Sequence, residues 1–187
     1  MKKLYKLGVI GCGFMARAIL KGVTASEFLR EKKVVVSDVS EEALDKVIEL
    51  GVKCTTNNKY LVENSEYVLF AVKPQNFEDA VNSLEGAVPD KVISIMAGVT
   101  RDKIKAALGR GTRVARCMPN LPCSIGSGVI GVDMTDFNSS QDDIEFISGV
   151  LNCMGTVLSV REEKMDAVTG ISGSGPAYVF MFIDSLI

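Results

Sequence analysis

The chain has 187 residues, of which 47% are apolar and none is histidine, and its formal charge is −2. Such a length suits one domain, or one plus a fragment of another, with a sizeable core, while the near-neutral charge gives no electrostatic case for nucleic acid or an anionic membrane as partner. Without histidine the commonest general acid–base and the commonest metal ligand are gone, so any chemistry rests on a cofactor, on backbone groups or on carboxylates.

Five cysteines, Cys12, Cys54, Cys117, Cys123 and Cys153, contain no C-x-x-C pair. A zinc site or disulfide framework is therefore not expected; reduced, buried thiols of a cytoplasmic protein are. The start Met1-Lys2-Lys3 resembles a signal peptide, but Lys6, Gly11, Gly13 and Arg17 interrupt the apolar run. No stretch reaches transmembrane length, because Asp184 breaks the apolar carboxyl-terminal one.

Leu4 to Ile10 reads as a buried strand, and Met15 to Val23 has apolar residues at helical spacing. Between them lies Gly11-x-Gly13-x-x-Ala16, the strand-to-helix form of the dinucleotide fingerprint. Gly11 permits the tight turn, Gly13 lets the backbone approach a pyrophosphate, and Ala16 lets the helix pack closely. Amide groups at the helix start then face the phosphates. A plain structural turn is the bland alternative.

Val34 to Val36 is a second strand ended by Ser37-Asp38; Ser40 caps a helix that Gly51 stops. Val52 to Thr55 is a third strand, followed by an Asn57-Asn58 turn and a short helix over Lys59 to Asn64. Tyr67 to Val72 is a fully buried strand, broken by Lys73-Pro74-Gln75 before a helix from Phe77 to Leu84. Val92 to Met96 ends at Ala97-Gly98; Thr100 caps a helix that Gly109 closes, and Arg113 to Met118 ends at Pro119-Asn120. This alternation argues a doubly wound, mostly parallel sheet that binds at the carboxyl ends of its strands. Asp38, at the end of the second strand with no arginine nearby, would accept a ribose 2′-OH and repel a 2′-phosphate, which favours NADH; a solvated loop aspartate is the alternative.

Beyond Asn120 the pattern loosens. Gly126 to Val132 reads as a strand, Ser140-x-x-Asp143 as a capping-box variant opening a helix to about Met154, and Thr156 to Val160 as a last strand. From Glu162 the pattern turns helical, with Met165, Val168 and Ile171 on one stripe. Gly170 to Pro176 is dense in small residues: either a linker needing close backbone approach or a turn presenting N–H donors to an anion, and spacing does not decide. Ala177 to Ile187 is apolar on nearly every side, so the expectation is a helix belonging to a larger helical unit. Residues 1–161 thus form one domain and 162–187 the first part of another.

Together these residues resemble the pyrroline-5-carboxylate reductase family from about Lys6 to the last residue. Gly11-Cys12-Gly13-Phe14-Met15-Ala16 resembles its G-x-G-x-[ML]-[AG], Ala71-Val72-Lys73-Pro74 its A-V-K-P, and Ala97-Gly98-Val99 its A-G-[IV]. Arg116 to Pro122 resembles R-x-M-P-N-[TS]-P, with Leu121 departing at the hydroxyl position. Most specific is the stretch from Glu162 through Asp166-Ala167-Val168-Thr169 to Ser172-Gly173-Ser174-Gly175-Pro176-Ala177-Tyr178.

The resemblance implies a Rossmann-type domain binding NADH or NADPH, then an all-helical dimerisation domain in a homodimer or larger ring. It implies hydride transfer to the cyclic imine 1-pyrroline-5-carboxylate, giving proline, with no metal. The cofactor would touch Gly11, Cys12, Gly13, Phe14, Met15, Ser37, Asp38, Asn58, Ala71, Val72, Lys73, Pro74, Ala97 and Gly98. Met118 and Asn120 would lie on the substrate side, and Glu162 matches the family's acidic residue there. The family's S-P-G-G-x-T segment, which holds the substrate carboxylate, is not among the 187 residues, so a dinucleotide-binding module with little turnover is also expected. A β-hydroxyacid dehydrogenase shares the opening motif but uses a lysine on its interdomain helix; Val168 to Tyr178 has none, and Lys164 lies before it.

Overall fold

In the computed structural model, which describes residues 3–26 and 28–187, eight strands form one sheet; Met1-Lys2 of the signal-like start lie outside the described residues. The strands are β1 (Tyr5–Ile10), β2 (Val34–Ser37), β3 (Lys53–Thr55), β4 (Ser65–Phe70), β5 (Lys91–Ser94), β6 (Arg113–Met118), β7 (Gly128–Asp133) and β8 (Gly155–Ser159). The helices are α1 (Phe14–Ala25), α2 (Glu41–Asp45), α3 (Asn58–Asn64), α4 (Phe77–Asn82), α5 (Arg101–Leu108), α6 (Gln141–Asn152), α7 (Met165–Val168) and α8 (Gly175–Asp184). Their order across the sheet is β3-β2-β1-β4-β5-β6-β7-β8. β1 to β6 are parallel, as the alternation predicts; β7 runs antiparallel to β6, and β8 parallel to β7. The chain winds outward from β1 to β3, then returns to place β4 on the other side of β1. That reversal opens a crevice at the carboxyl ends of β1 and β4.

Both faces of the sheet are covered, which explains the β-branched runs. On β1, Leu7 and Val9 join α1, α2 and α6 through Ile19, Leu20, Leu44, Ile147 and Leu151. Ile10 points the other way, into the layer of Leu61, Phe77, Ala80 and Ile104 from α3, α4 and α5. Each such buried side chain contributes roughly 1.5–3 kcal/mol, far more than local propensity supplies. Gly8 shares the face of Ile10 and lies beneath α3. A Cβ there would sit 2.5 Å from Leu61 Cδ2, so glycine is what lets α3 approach.

Three local expectations change. Asn57 is a helix cap rather than part of a turn: its Oδ1 accepts the Tyr60 N–H at 2.8 Å, and Asn58 already belongs to α3. Ser40 and Thr100 cap α2 and α5 as expected. Ser140 likewise accepts the Asp143 N–H, but the Asp143 carboxylate does not reach back to complete a capping box. It accepts hydrogen bonds from Lys91, Arg113 and Tyr67 instead, because a buried carboxylate gains more from cations than from an amide.

Gly170 to Pro176 forms no turn. Thr169–Gly173 is a π-helical segment, closed by the Ser174 N–H donating to the Thr169 carbonyl at 2.8 Å, and it runs straight into α8. At Gly173 the absence of a side chain serves close approach: a Cβ there would lie 2.6 Å from Met118 Cε. The Ser174 amide is thereby spent within the helix rather than offered to an anion. Pro176 falls in the first turn of α8, as the sequence suggests. Tyr178, Phe180, Met181 and Phe182 of α8 are exposed. Among the described residues, no helix is long and apolar enough to cross a membrane.

Candidate dinucleotide site

The β1–α1 loop is built by glycine geometry. Gly11 has φ +95°, and a Cβ on it would lie 2.9 Å from the Ala71 carbonyl carbon, so any side chain is both strained and blocked. Gly13 precedes α1 with open space where a Cβ would stand. No side chain caps α1, and its first turn carries no acidic residue, which leaves the amino-terminal N–H groups free for an anion. Those features fit a pyrophosphate held on main-chain amides.

Neighbouring strand tips hold the loop in place. The Gly11 N–H donates to the Ser37 carbonyl at 2.8 Å, and the Ala71 N–H to the Ile10 carbonyl at 2.9 Å. Asp38 does more than face a ribose. Its Oδ2 accepts the Cys12 N–H at 2.7 Å and its Oδ1 the Ser40 N–H at 2.9 Å, so one carboxylate clamps the glycine loop to the turn before α2. The Cys12 thiol is buried against the Ala43 carbonyl, and burial pushes its pKa up to about 11, which makes it inert.

These tips surround a cleft of about 390 Å³. Of the residues expected at the cofactor, Gly11, Gly13, Ser37, Asp38, Asn58, Ala71, Val72 and Lys73 line it. Cys12, Phe14 and Met15 belong to the same loop and helix start but do not line the cleft, and Pro74 begins the 3-10 turn behind Lys73. Ala97 and Gly98 follow β5, further along the same edge. The sequence reading missed one wall: Asn76, Asp79, Ala80 and Ser83, at and around α4. Their i, i+3, i+4, i+7 spacing marks one helix face, and that signal could have found them.

Met118, Asn120 and Glu162 are not among the residues that line the cleft. Asn120 accepts the Val129 N–H at 3.1 Å and donates to Ser172 Oγ at 3.1 Å, tying the end of β6 to the π-helical segment. Glu162 does not line the cleft. Its carboxylate accepts the Arg101 N–H at 2.8 Å and Arg101 Nε at 3.0 Å, and pairs with buried Arg116 at 3.3 Å. Asp133 accepts the Glu162 N–H at 2.7 Å. Burial opposes ionisation of Asp133, but the Thr135 amide and the Arg101 guanidinium outweigh it and hold its pKa below the usual range. Glu162 thus latches the helical segment to the start of α5.

Fold and cleft together define a Rossmann-type, dinucleotide-dependent oxidoreductase. Residues 6–98 match the protein-family model described as NADP oxidoreductase, coenzyme F420-dependent, and residues 162–187 match the one described as pyrroline-5-carboxylate reductase dimerisation. The pyrroline-5-carboxylate reductase of Methanosarcina acetivorans is 35% identical over 97% of this chain and 68% of its own length. The solved structure of a pyrroline-5-carboxylate reductase from Coxiella burnetii superposes with a TM-score of 0.86 at 30% identity, covering 98% of this chain and 69% of that one. The Plasmodium falciparum reductase with NADP bound gives 0.84 at 27%, covering 100% and 69%. The chain belongs to the pyrroline-5-carboxylate reductase family and spans about two thirds of the length of these relatives.

Proposed function

We propose that this chain provides the dinucleotide site of a reductase that converts 1-pyrroline-5-carboxylate to proline, with NADH as the preferred donor. The observation that carries the reading is one polypeptide holding both a glycine-loop cleft and, tied to the start of α5 by Glu162, the segment matched to the reductase dimerisation family. When bound, the reduced nicotinamide supplies the hydride that turns an imine carbon into an amine carbon. Gly11, Gly13 and the α1 amides would hold its pyrophosphate, and the tips of β4 and β5 would orient the ring. No residue of this chain is required as proton donor: a cyclic imine can take up a proton from solvent before hydride arrives, the chain has no histidine, and Glu162 is committed to two arginines. Glu162→Gln should therefore alter substrate binding or stability before it alters the chemical step; abolished turnover with binding intact would end that part of the reading.

Charge at the ribose end supports NADH. Asp38 and Asp79 line the cleft, Glu41 and Glu42 occupy the first turn of α2, and Lys73 is the one cation among the lining residues described. A 2′-phosphate would meet carboxylates rather than a guanidinium. The apolar side chains exposed on α8 support pairing with a second copy through the helical segment, and five unpaired thiols suit the cytoplasm. The test is oxidation of NADH and NADPH in the presence of pyrroline-5-carboxylate. Imine-dependent oxidation, faster with NADH, is the result the reductase reading expects; dinucleotide binding without it would leave these 187 residues as the binding module with little turnover.

A further inference from the structure

Three side chains form a hydrogen-bonded chain across one wall of the cleft. Ser37 Oγ, wholly buried at the end of β2, donates to Asn58 Oδ1. Asn58 Nδ2 donates to Ser83 Oγ at 2.8 Å, and Ser83 Oγ donates to the Ala80 carbonyl at 2.7 Å. The chain joins the tip of β2, the first residue of α3 and the end of α4, and all three of its members line the cleft.

Counting protons shows what remains for a ligand. The Ser37 hydroxyl proton, the Ser83 hydroxyl proton and one Asn58 amide proton are committed. Asn58 Oδ1 is occupied, so the amide cannot turn over without breaking both ends of the chain. What the wall offers is the second Asn58 N–H, in a fixed direction. Asp38, an acceptor, lines the same cleft, held still by the Cys12 and Ser40 amides. One fixed donor with one fixed acceptor is the pattern that reads a sugar hydroxyl, which both accepts and donates.

We propose that Ser83 is a positioning residue for cofactor selection: by anchoring Asn58 it aims the free amide proton at the oxygen of the adenosine ribose 2′-hydroxyl, whose own proton goes to Asp38. The inference rests on the dinucleotide reading of the cleft. Ser83 touches the cofactor through Asn58, so its effect falls on the ligand whose ribose hydroxyl is free. With NADPH the 2′-phosphate has no proton for Asp38 at neutral pH, and the paired recognition does not form.

The test is equilibrium binding of NADH and NADPH, read by calorimetry beside thermal unfolding. Ser83→Ala should weaken NADH about three- to tenfold, the worth of one neutral hydrogen bond, and NADPH less than twofold. Ser83→Thr, which keeps the hydroxyl, should restore NADH to within twofold of wild type. Asn58→Ala should show the same selective loss, and adding Ser83→Ala to it should cost nothing further, because the two act as a unit. Equal loss for both coenzymes, additive losses in the double variant, or no loss with Ser83→Ala would overturn the proposal. Wild-type protein that binds neither coenzyme would instead remove the dinucleotide reading, and the proposal with it.

Discussion

The two edges of the sheet use their polar groups in opposite ways. At the amino edge, Glu66 accepts from Lys6 at 2.8 Å and from Lys91 at 3.1 Å. Asp143 there accepts from Lys91 at 2.7 Å, from Arg113 at 2.9 Å and from the Tyr67 hydroxyl. Cations and carboxylates at that edge satisfy one another. At the carboxyl edge the α1 amides have no side-chain cap, Gly13 faces open space, and Asn58 keeps an unused N–H. Unmet hydrogen-bonding capacity distinguishes the binding edge from the structural one.

Breaking the amino edge should cost stability alone. Asp143→Ala leaves Lys91 and Arg113 without their buried partner and is expected to destabilise the fold by about 3–5 kcal/mol. Denaturant unfolding would measure it, and NADH affinity of the remaining folded protein should be unchanged. Gly11→Val attacks the other edge. With φ +95° and the Ala71 backbone 2.9 Å from the new Cβ, it should cost about 2–3 kcal/mol of stability and abolish dinucleotide binding in a titration.

A third variant sharpens the contrast. Asp38→Asn keeps one acceptor for the loop amides but loses the charge. NADH affinity should fall about tenfold while NADPH affinity rises, and direct titration of both would show the crossover. The smallest effect concerns pH. Burial disfavours the Asp143 carboxylate, yet hydrogen bonds from Lys91 and Tyr67 outweigh it and hold its folded pKa well below the ordinary range. A depressed folded value means the stability it contributes is present above the unfolded pKa of about 4 and is lost as pH falls through the folded one. Asp143→Asn should therefore flatten the acid limb of a stability-versus-pH curve below about pH 4 and leave the limb at neutral pH with its wild-type slope.

What the sequence displayed was local. The glycine fingerprint, the Ser40, Thr100 and Ser140 caps and the β-branched strands are all read within a few residues, and the six parallel strands follow from their alternation with helices. Features made by distant partners were not legible. Asp143 looks like part of a capping box until folding brings Lys91, 52 residues away, to its carboxylate. Asp38 reads as a ribose acceptor, but its hold on Cys12 spans 26 residues. The α4 wall was hidden because Asn76, Asp79 and Ser83 look like an ordinary solvated face. Small residues from Gly170 to Gly175 left a close-approach linker and an anion-binding turn both open, and only the proximity of Met118 shows why glycine is needed at 173.

The most direct test is a calorimetric titration of the protein with NADH and, separately, NADPH, repeated as ligand-dependent thermal unfolding. The account predicts saturable binding of both, tighter for NADH, with about 2.7 kcal/mol of added stability at a free concentration one hundred times the dissociation constant. No heat and no rise in the unfolding temperature with either coenzyme would contradict it.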